Sequence, residues 1–488
     1  MPSKIASPIS PPATVIVTGA NGFIAQHCIA ALLNQGYNVV GTVRSASKID
    51  LVKEAHKSHP SLQLVVVDDI TSSDCYLKAF DNLKPSAVFH LAAPFHYNAS
   101  NFETELMIPA VLGSTAILEA ATQIPSIKRV VHTNSFACIY DAAAGPFPEK
   151  TYTSKDWSPL TYEDGVNAPN APTAYRASKT AAEKAAWSFI SERKPAFDLV
   201  SLCPTMVFGP FLPGSTPKSI QEVNTSNLMV WSVVSAGKNQ PVPPTKGPCW
   251  VDVRDVAEAH VKALLVPEAG GGRYMLCQGV YCNQELADVS RKVTSKYAEK
   301  IPVGEPGKRE KHTHFGVDAS DAERVLGLKW RGLEDCLDDL ACTSSTRVHS
   351  YGLSSPASFL RRACYGGFCG STALATLTWA SRHVTSPQPY NREHLSLAAP
   401  ELGSYPWRED QALEWCGRPC GGHQRIELER TDMNVPMDQL NATNSGRKTF
   451  NMTTIAVAIK QGPVQAIFAV ARRKPPGRNR MATMAAAV

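Results

Sequence analysis

No stretch of about 18 or more apolar residues occurs in this 488-residue chain, so no membrane-spanning helix is expected. The opening segment, residues 1–13, is rich in Pro and Ser and lacks the apolar core of a secretory signal. Residues 1–12 read as a flexible lead-in. The 13 cysteines do not form a short-spaced disulfide framework; many fall singly in apolar segments, as Cys28, Cys138 and Cys203 do. Reduced, packed thiols and a cytoplasmic location are the expectation. No internal repeat is present. Charged residues make up 19% and hydrophobic residues 43%, the balance of a globular protein with a sizeable core.

A basic surplus is also missing from most of the chain. Up to residue 343, 32 Lys and Arg face 34 Asp and Glu, which excludes a general attraction to nucleic acid. The formal charge of +6 arises beyond that point, where 17 Lys and Arg face 9 Asp and Glu. The choice of cation changes at the same place, from 22 Lys and 10 Arg to 3 Lys and 14 Arg. A boundary near residue 343 follows. Residues 344–488 are expected to form a basic, largely unstructured tail, with the character of translated intron or read-through sequence. Tyr351–Trp379 and Thr453–Val470 can form local elements, the second interrupted by Lys460, Gly462 and Pro463. Cys364, Cys369, Cys416, Cys420 and His423 are spaced too loosely for a zinc site, and no metal is expected. Sequons at Asn441 and Asn451 carry no weight without secretion, and Arg472–Arg480 reads as a solvated basic run.

What the first 343 residues do contain is an alternation of short β-rich runs and helical patterns. The strand-like runs are Val15–Thr18, Val39–Val43, Leu62–Val67, Ala87–Leu91, Val130–Thr133 and Leu199–Cys203. Near-continuous apolar strands separated by helices imply a parallel sheet covered on both faces, a doubly wound Rossmann α/β fold. After residue 205 the alternation weakens into Pro/Gly-rich loops and helices such as Val253–Leu265 and Asn283–Tyr297. The expected division is a cofactor part over about 13–205 and a smaller, irregular substrate part over about 206–343.

The run Val15-Ile-Val-Thr-Gly19-Ala-Asn21-Gly22-Phe23-Ile24-Ala25 places a tight turn between a strand and a helix. Gly19 can take backbone angles closed to other residues, and Gly22 lets a pyrophosphate approach the main chain. The helix N-terminus then offers free N–H groups to phosphates. At the end of the second strand, where an NAD-selective site would carry an acid, the chain reads Thr42-Val-Arg44-Ser45, followed by Lys48. Arg44 and Lys48 can meet a 2′-phosphate, so NADP(H) is the expected cofactor.

Tyr175 and Lys179 are four residues apart, hence on one helix face, and theirs is the only Tyr-x3-Lys spacing in the chain. A nearby ammonium lowers a phenol's pKa and makes it a proton donor near neutral pH. Ser135 lies at the end of a strand, beside the expected cofactor crevice, where its hydroxyl can hold a substrate carbonyl. His90, on an apolar strand, reads as a hydrogen-bonded core histidine rather than a ligand. Asp252 and Arg254 read as a structural pair.

Taken together, these segments resemble the extended short-chain dehydrogenase/reductase family, within the epimerase/dehydratase superfamily. The likeness is to its dihydroflavonol reductases and fungal ketone/aldehyde (methylglyoxal-type) reductases. Further matching segments are Asp69-Ile70, His90-Leu-Ala-Ala-Pro-Phe95, Cys203-Pro-Thr-Met-Val-Phe-Gly-Pro210, Asn224-Thr-Ser226 and Val251-Asp-Val-Arg-Asp-Val-Ala257. The resemblance runs from about Ala13 to about Ala341. It implies that Tyr175 donates the proton, Lys179 tunes it and binds the nicotinamide ribose, and Ser135 holds the substrate oxygen. Asp69 and Ile70 would surround the adenine, Ala92 and Ala93 would line the cofactor, and Val207, Ser226 and Pro204 would approach the nicotinamide end. The implied reaction is NADPH-dependent reduction of a small ketone or aldehyde. Phe95, Phe136, Tyr140 and Met206 would build the substrate pocket. Two departures stand out: Asn134 where relatives often have Ser, and Ala93 where Ser is also common. Two alternatives stay open, a sugar-nucleotide epimerase or dehydratase of the same fold, and a non-catalytic NADP-binding redox sensor.

Overall fold

The computed structural model describes residues 7–93, 99–309 and 314–345, and five strand segments at 413–415, 424–426, 453–461, 464–472 and 481–485. Two compact units result, Met1–Leu377 and Thr378–Val488. In the first, the strands in chain order are β1 (Thr14–Val17), β2 (Asn38–Val43), β3 (Leu62–Val66), β4 (Ala87–His90), β5 (Arg129–Thr133), β6 (Thr151–Thr153), β7 (Asp198–Pro204), β8 (Met206–Phe208), β9 (Cys249–Asp252), β10 (Arg273–Leu276), β11 (Gly279–Val280) and β12 (Gly316–Asp318). The helices that matter below are α1 (Phe23–Asn34), α2 (Ile49–Ala55), α3 (Ser73–Ala79), α4 (Ile108–Thr122), α5 (Tyr162–Val166), α6 (Ala171–Arg193), α7 (Thr225–Val234) and α8 (Val253–Leu265).

Seven strands form one sheet in the order β10-β7-β5-β4-β1-β2-β3, and every neighbouring pair is parallel. All six strand-like runs of the sequence lie in it. The seventh, β10, comes from the stretch expected to be irregular, so the sheet does not end near residue 205. The chain builds outward from β1 to the β3 edge, then returns to lay β4 against β1 on the other side. That reversal opens a crevice at the carboxyl ends of β1 and β4, the position where such sheets bind ligands.

Both faces of the sheet are dry. Val15, Val17, Phe89, Val131 and Val200 point into one layer with Ile29 and Leu32 of α1 and Val256 and Leu264 of α8. Ile16, Val88, Val130 and Leu199 point into the other, with Ile117 and Leu118 of α4 and Ala186 and Ile190 of α6. The alternation follows the strand period of two. Helix continues through Glu103–Thr122, 20 residues by length and composition able to cross a membrane, but 56% of that window is buried inside the fold. It packs on α3 and α6 and is a core helix of the covering layer.

A buried ion pair ties the far end of the sheet together. Arg129 of β5 meets Asp198 of β7 through Nε–Oδ1 (2.6 Å) and Nη2–Oδ2 (2.7 Å), and also donates to the carbonyls of Ala263, Val266 and Pro267. The smaller part contains β8, β9, β11 and α7 around Phe208, Trp250 and Tyr281. Asp252 caps α8 by accepting from the Arg254 N–H (2.8 Å) and pairs with that guanidinium. It is the structural pair expected. Of the nine described cysteines, seven are buried.

In the second unit, Thr453–Gln461 and Val464–Arg472 pair antiparallel, with Met481–Ala485 added beyond the latter, and Leu413–Trp415 pairs with Gln424–Ile426. The strands flank Gly462-Pro463, so the interruption seen in the sequence separates two strands. Tyr351–Trp379, the loosely spaced Cys364, Cys369, Cys416, Cys420 and His423, the sequons, and most of Arg472–Arg480 lie outside the described residues. So does Phe95.

Candidate active site

The crevice is built first by backbone. After β1 the chain turns at Gly19, whose φ is +68°. A Cβ there would lie 3.2 Å from Ala92 Cα and 3.3 Å from Ala92 N, so the turn after β1 and the chain after β4 leave no room for a side chain. Thr18, absent from the sequence-based site, holds the two together. Its Oγ1 accepts from the N–H groups of Leu91 and Ala92, both at 3.0 Å, and lies 3.1 Å from Nδ1 of His90. His90 is buried, stacks on His132 at 5.3 Å, and is held down to about 3 by burial, with Lys179 adding to the fall. It is the core histidine expected, kept neutral.

Gly22 ends the turn, its N–H donating to Gly19 O (2.8 Å), and α1 starts at Phe23. Among the described residues no side chain caps this helix, and no acid stands in its first turn. Its first amides and its dipole are therefore available to a pyrophosphate. Asn21 and Gly22 are exposed at this turn, while Phe23 packs on Phe211 (5.3 Å between rings) and Ile24 against the core. Arg44, directly after β2, and Lys48, ending a short 3-10 turn, are both exposed. Asp69, after β3, is near enough for the charge of Arg44 to act on it. Its carboxyl is lowered first by hydrogen bonds from Thr71 (2.7 and 2.8 Å) and less by Arg44. Ile70 packs against Gly113 of α4. A glycine cradle, a helix start without a side-chain cap among the described residues, and two exposed cations at the adjacent strand end fit a phosphorylated dinucleotide.

The candidate reacting groups come from β5 and α6. Ser135 follows β5; its Oγ accepts from the Ala137 N–H (3.1 Å), which leaves the hydroxyl proton to donate elsewhere. The short helix it caps, Phe136–Cys138, packs on α6. On α6, Tyr175 is half-buried and Lys179 buried, one turn apart. Lys179 Nζ donates to Thr133 O (3.4 Å), two residues before Ser135. Burial lowers the Lys179 pKa, opposed by Cys138, Cys203 and Glu183. Thus Lys179 is tied to the carboxyl end of β5, where Ser135 lies, and Tyr175 stands one turn before Lys179 on α6. Pro204 closes β7, and three residues on, Val207 N donates to Ser226 Oγ (3.2 Å), joining two positions named from the sequence. Ala93 is exposed just after the crevice.

Beneath these groups lies a network the sequence did not announce. Glu183, one turn beyond Lys179, is fully buried. It receives Arg273 of β10 through two 2.9 Å bonds, the Ser201 hydroxyl at 2.5 Å, and the Cys138 thiol at 2.9 Å. Burial pushes its pKa up, but the Arg273 bonds and charge outweigh that and it stays ionised. Cys138, Glu183 and Cys203 present ligand atoms within 4.8 Å of one another, but Arg273 already supplies the positive charge there.

Phe136 and Tyr140 stack at 4.9 Å and pack with Tyr152 and Phe315 into an aromatic wall beside Ser135. Met206 lies beside Gly247 and Ser226. Asn134, the departure noted above, is buried with neither amide atom partnered among the described residues. A surface depression lined by Ser154, Trp157, Arg273 and Arg324 opens at the start of β10, away from the strand ends that carry this chemistry.

A doubly wound parallel sheet with a glycine cradle at its switch point and a Ser/Tyr/Lys set beside it defines a dinucleotide-dependent short-chain dehydrogenase/reductase. The chain belongs to the NAD dependent epimerase/dehydratase family, whose sequence profile matches residues 15–277. It is 34% identical over 336 residues to the NADPH-dependent methylglyoxal reductase GRE2 of Saccharomyces cerevisiae, covering 67% of this chain and 97% of that one. It is also 34% identical over 333 residues to the ketoreductase azaE of Aspergillus niger, covering 67% and 95%. Among solved structures, Gre2 of Candida albicans in complex with NADPH superposes with a TM-score of 0.65 at 34% identity, covering 69% of this chain and all of that one.

Proposed function

We propose that this protein is an NADPH-dependent carbonyl reductase acting on a small ketone or aldehyde, with Tyr175 as the proton donor. What supports it is Lys179, anchored on Thr133 O at the carboxyl end of β5, where Ser135 lies on the strand next to the Gly19–Ala92 crevice, with Tyr175 one turn before Lys179 on α6. NADP(H) is the cofactor: Arg44 and Lys48 face the adenosine 2′-phosphate, Gly19–Ile24 the pyrophosphate, and Lys179 the nicotinamide ribose. Asp69 and Ile70 border the adenine, with Ala92, Ala93, Pro204, Val207 and Ser226 along the remaining wall. When bound, NADPH supplies the hydride that reaches the carbonyl carbon.

The chain's own groups handle the oxygen. Ser135 donates its free hydroxyl proton as a hydrogen bond to the carbonyl, fixing the oxygen at the phenol. Tyr175 then gives that oxygen a proton as negative charge develops on it. The ammonium of Lys179 stabilises the resulting phenolate. Its anchor on Thr133 O fixes the distance between β5 and α6. The enzyme acts in the cytoplasm, where its buried thiols stay reduced.

The test is loss of NADPH absorbance with a panel of α-diketones, β-keto esters, aldehydes and a dihydroflavonol, followed by chiral analysis of the product. Turnover of at least one carbonyl class is expected. No consumption across the panel overturns the assignment, and equal kcat/KM with NADPH and NADH overturns the cofactor preference.

A further inference from the structure

Helix α6 carries Tyr175, Lys179 and Glu183 at intervals of four residues, so the three stand on one face. Two of them reach across to the chain that leaves β5. Lys179 Nζ donates to Thr133 O (3.4 Å), two residues before Ser135. Glu183 Oε2 lies 2.9 Å from the thiol of Cys138, three residues after Ser135. The helix therefore holds this segment on both sides of the serine. One tie would let the segment swing about it; two fix its orientation as well as its distance.

The second tie bears directly on Ser135. Cys138 ends the short helix that Ser135 caps. Its N–H donates to Ser135 O (3.1 Å), its Sγ lies 2.6 Å from the same oxygen, and Ser135 Oγ takes the Ala137 N–H (3.1 Å) inside that turn. The aim of the serine hydroxyl thus follows the placement of residues 136–138. Cys138 is fully buried, and its one proton goes to Glu183, because an ionised carboxylate is a stronger acceptor than a carbonyl. Arg273 and the Ser201 hydroxyl lock that carboxylate in place. Cys138 O has partners of its own, the Ser158 N–H (2.9 Å) and Arg273 Nη2 (3.2 Å), which hold the main chain of the turn whatever side chain stands there.

We propose that Cys138 is a positioning residue for carbonyl reduction: its thiol, held by Glu183, fixes the turn that aims Ser135 relative to the helix that presents Tyr175. This rests on the carbonyl-reductase reading above. The thiol takes no part in the transfer of hydride or proton. Its effect is on the geometry in which the carbonyl oxygen meets the two hydroxyls.

The experiment uses the full chain, NADPH and the carbonyl that the wild type turns over best. Cys138→Ala cuts the tie and leaves the Glu183–Arg273 pair in place. Its kcat should fall about tenfold or more, while NADPH affinity, read by fluorescence titration, stays within about twofold. Cys138→Ser returns a donor and should recover most of the loss. Cys138→Thr and Cys138→Val fill the same space and differ in the donor, so the first should keep at least about threefold more kcat than the second. Ser135→Ala should cost much less in the Cys138→Ala background than in the wild type, because the serine there is already misdirected. A kcat for Cys138→Ala within about twofold of the wild type, equal rates for the Thr and Val variants, or fully additive losses in the double variant overturns the proposal. Should Cys138→Ala fail to fold, the Thr and Val pair decides. Absence of wild-type turnover on every carbonyl sinks the reductase reading beneath it.

Discussion

At the scale of single residues, the proposed reading gives Tyr175 to the chemistry and Arg44 to the binding. Tyr175→Phe removes the donated proton and leaves the ring, so kcat should fall by about 10²–10⁴-fold while NADPH affinity, read by fluorescence titration, changes little. Arg44→Ala removes a charge-assisted contact, and kcat/KM with NADPH should drop about tenfold or more, with NADH nearly unaffected. Both residues were legible because their signals are local: a helical spacing for Tyr175 and Lys179, a strand end for Arg44. Thr18 was not. Its hydroxyl acts on Leu91 and Ala92, 73 and 74 positions away, and nothing in the sequence links a threonine before a glycine turn to a backbone so distant.

At the scale of elements, β-branched runs made six strands readable, and the glycine turn made α1 readable. β10 was not legible: Arg273-Tyr-Met-Leu has no β-branched residue, opens on a charge and follows three glycines. What seats it is the Arg273–Glu183 pair, between residues 90 positions apart. Truncating one partner strands the other's charge in the interior. Arg273→Met should therefore cost about 3–5 kcal/mol in urea unfolding, and adding Glu183→Gln should recover a good part of it. A double variant as unstable as the single one would mean that the lost bonds from Arg273 to Cys138, Ser154 and Asp156 carbonyls dominate instead.

Over the whole molecule, burial keeps several histidines neutral: His90 is held down to about 3, His27 and His260 to about 4, and His132 well below its ordinary value. In the unfolded chain each binds a proton below about 6.5. Their stabilisation is thus complete above that pH and is lost as pH falls toward 4, by up to about 1.4 kcal/mol per pH unit for each. Thermal melts should be flat in this contribution above about pH 7 and fall steeply between pH 6 and 4. The similarity to curated reductases ends with 67% of the chain matched and nearly all of theirs. A protein of residues 1–345 should accordingly keep kcat/KM within about twofold of the full chain. The Glu183–Arg273 pair also sets an order of assembly. Until β10 arrives, the helix carrying Tyr175 and Lys179 holds an uncompensated buried acid, so it settles only after the longest loop of the sheet has closed. In refolding, helical signal should recover before NADPH turnover does, because the catalytic helix waits for the last strand.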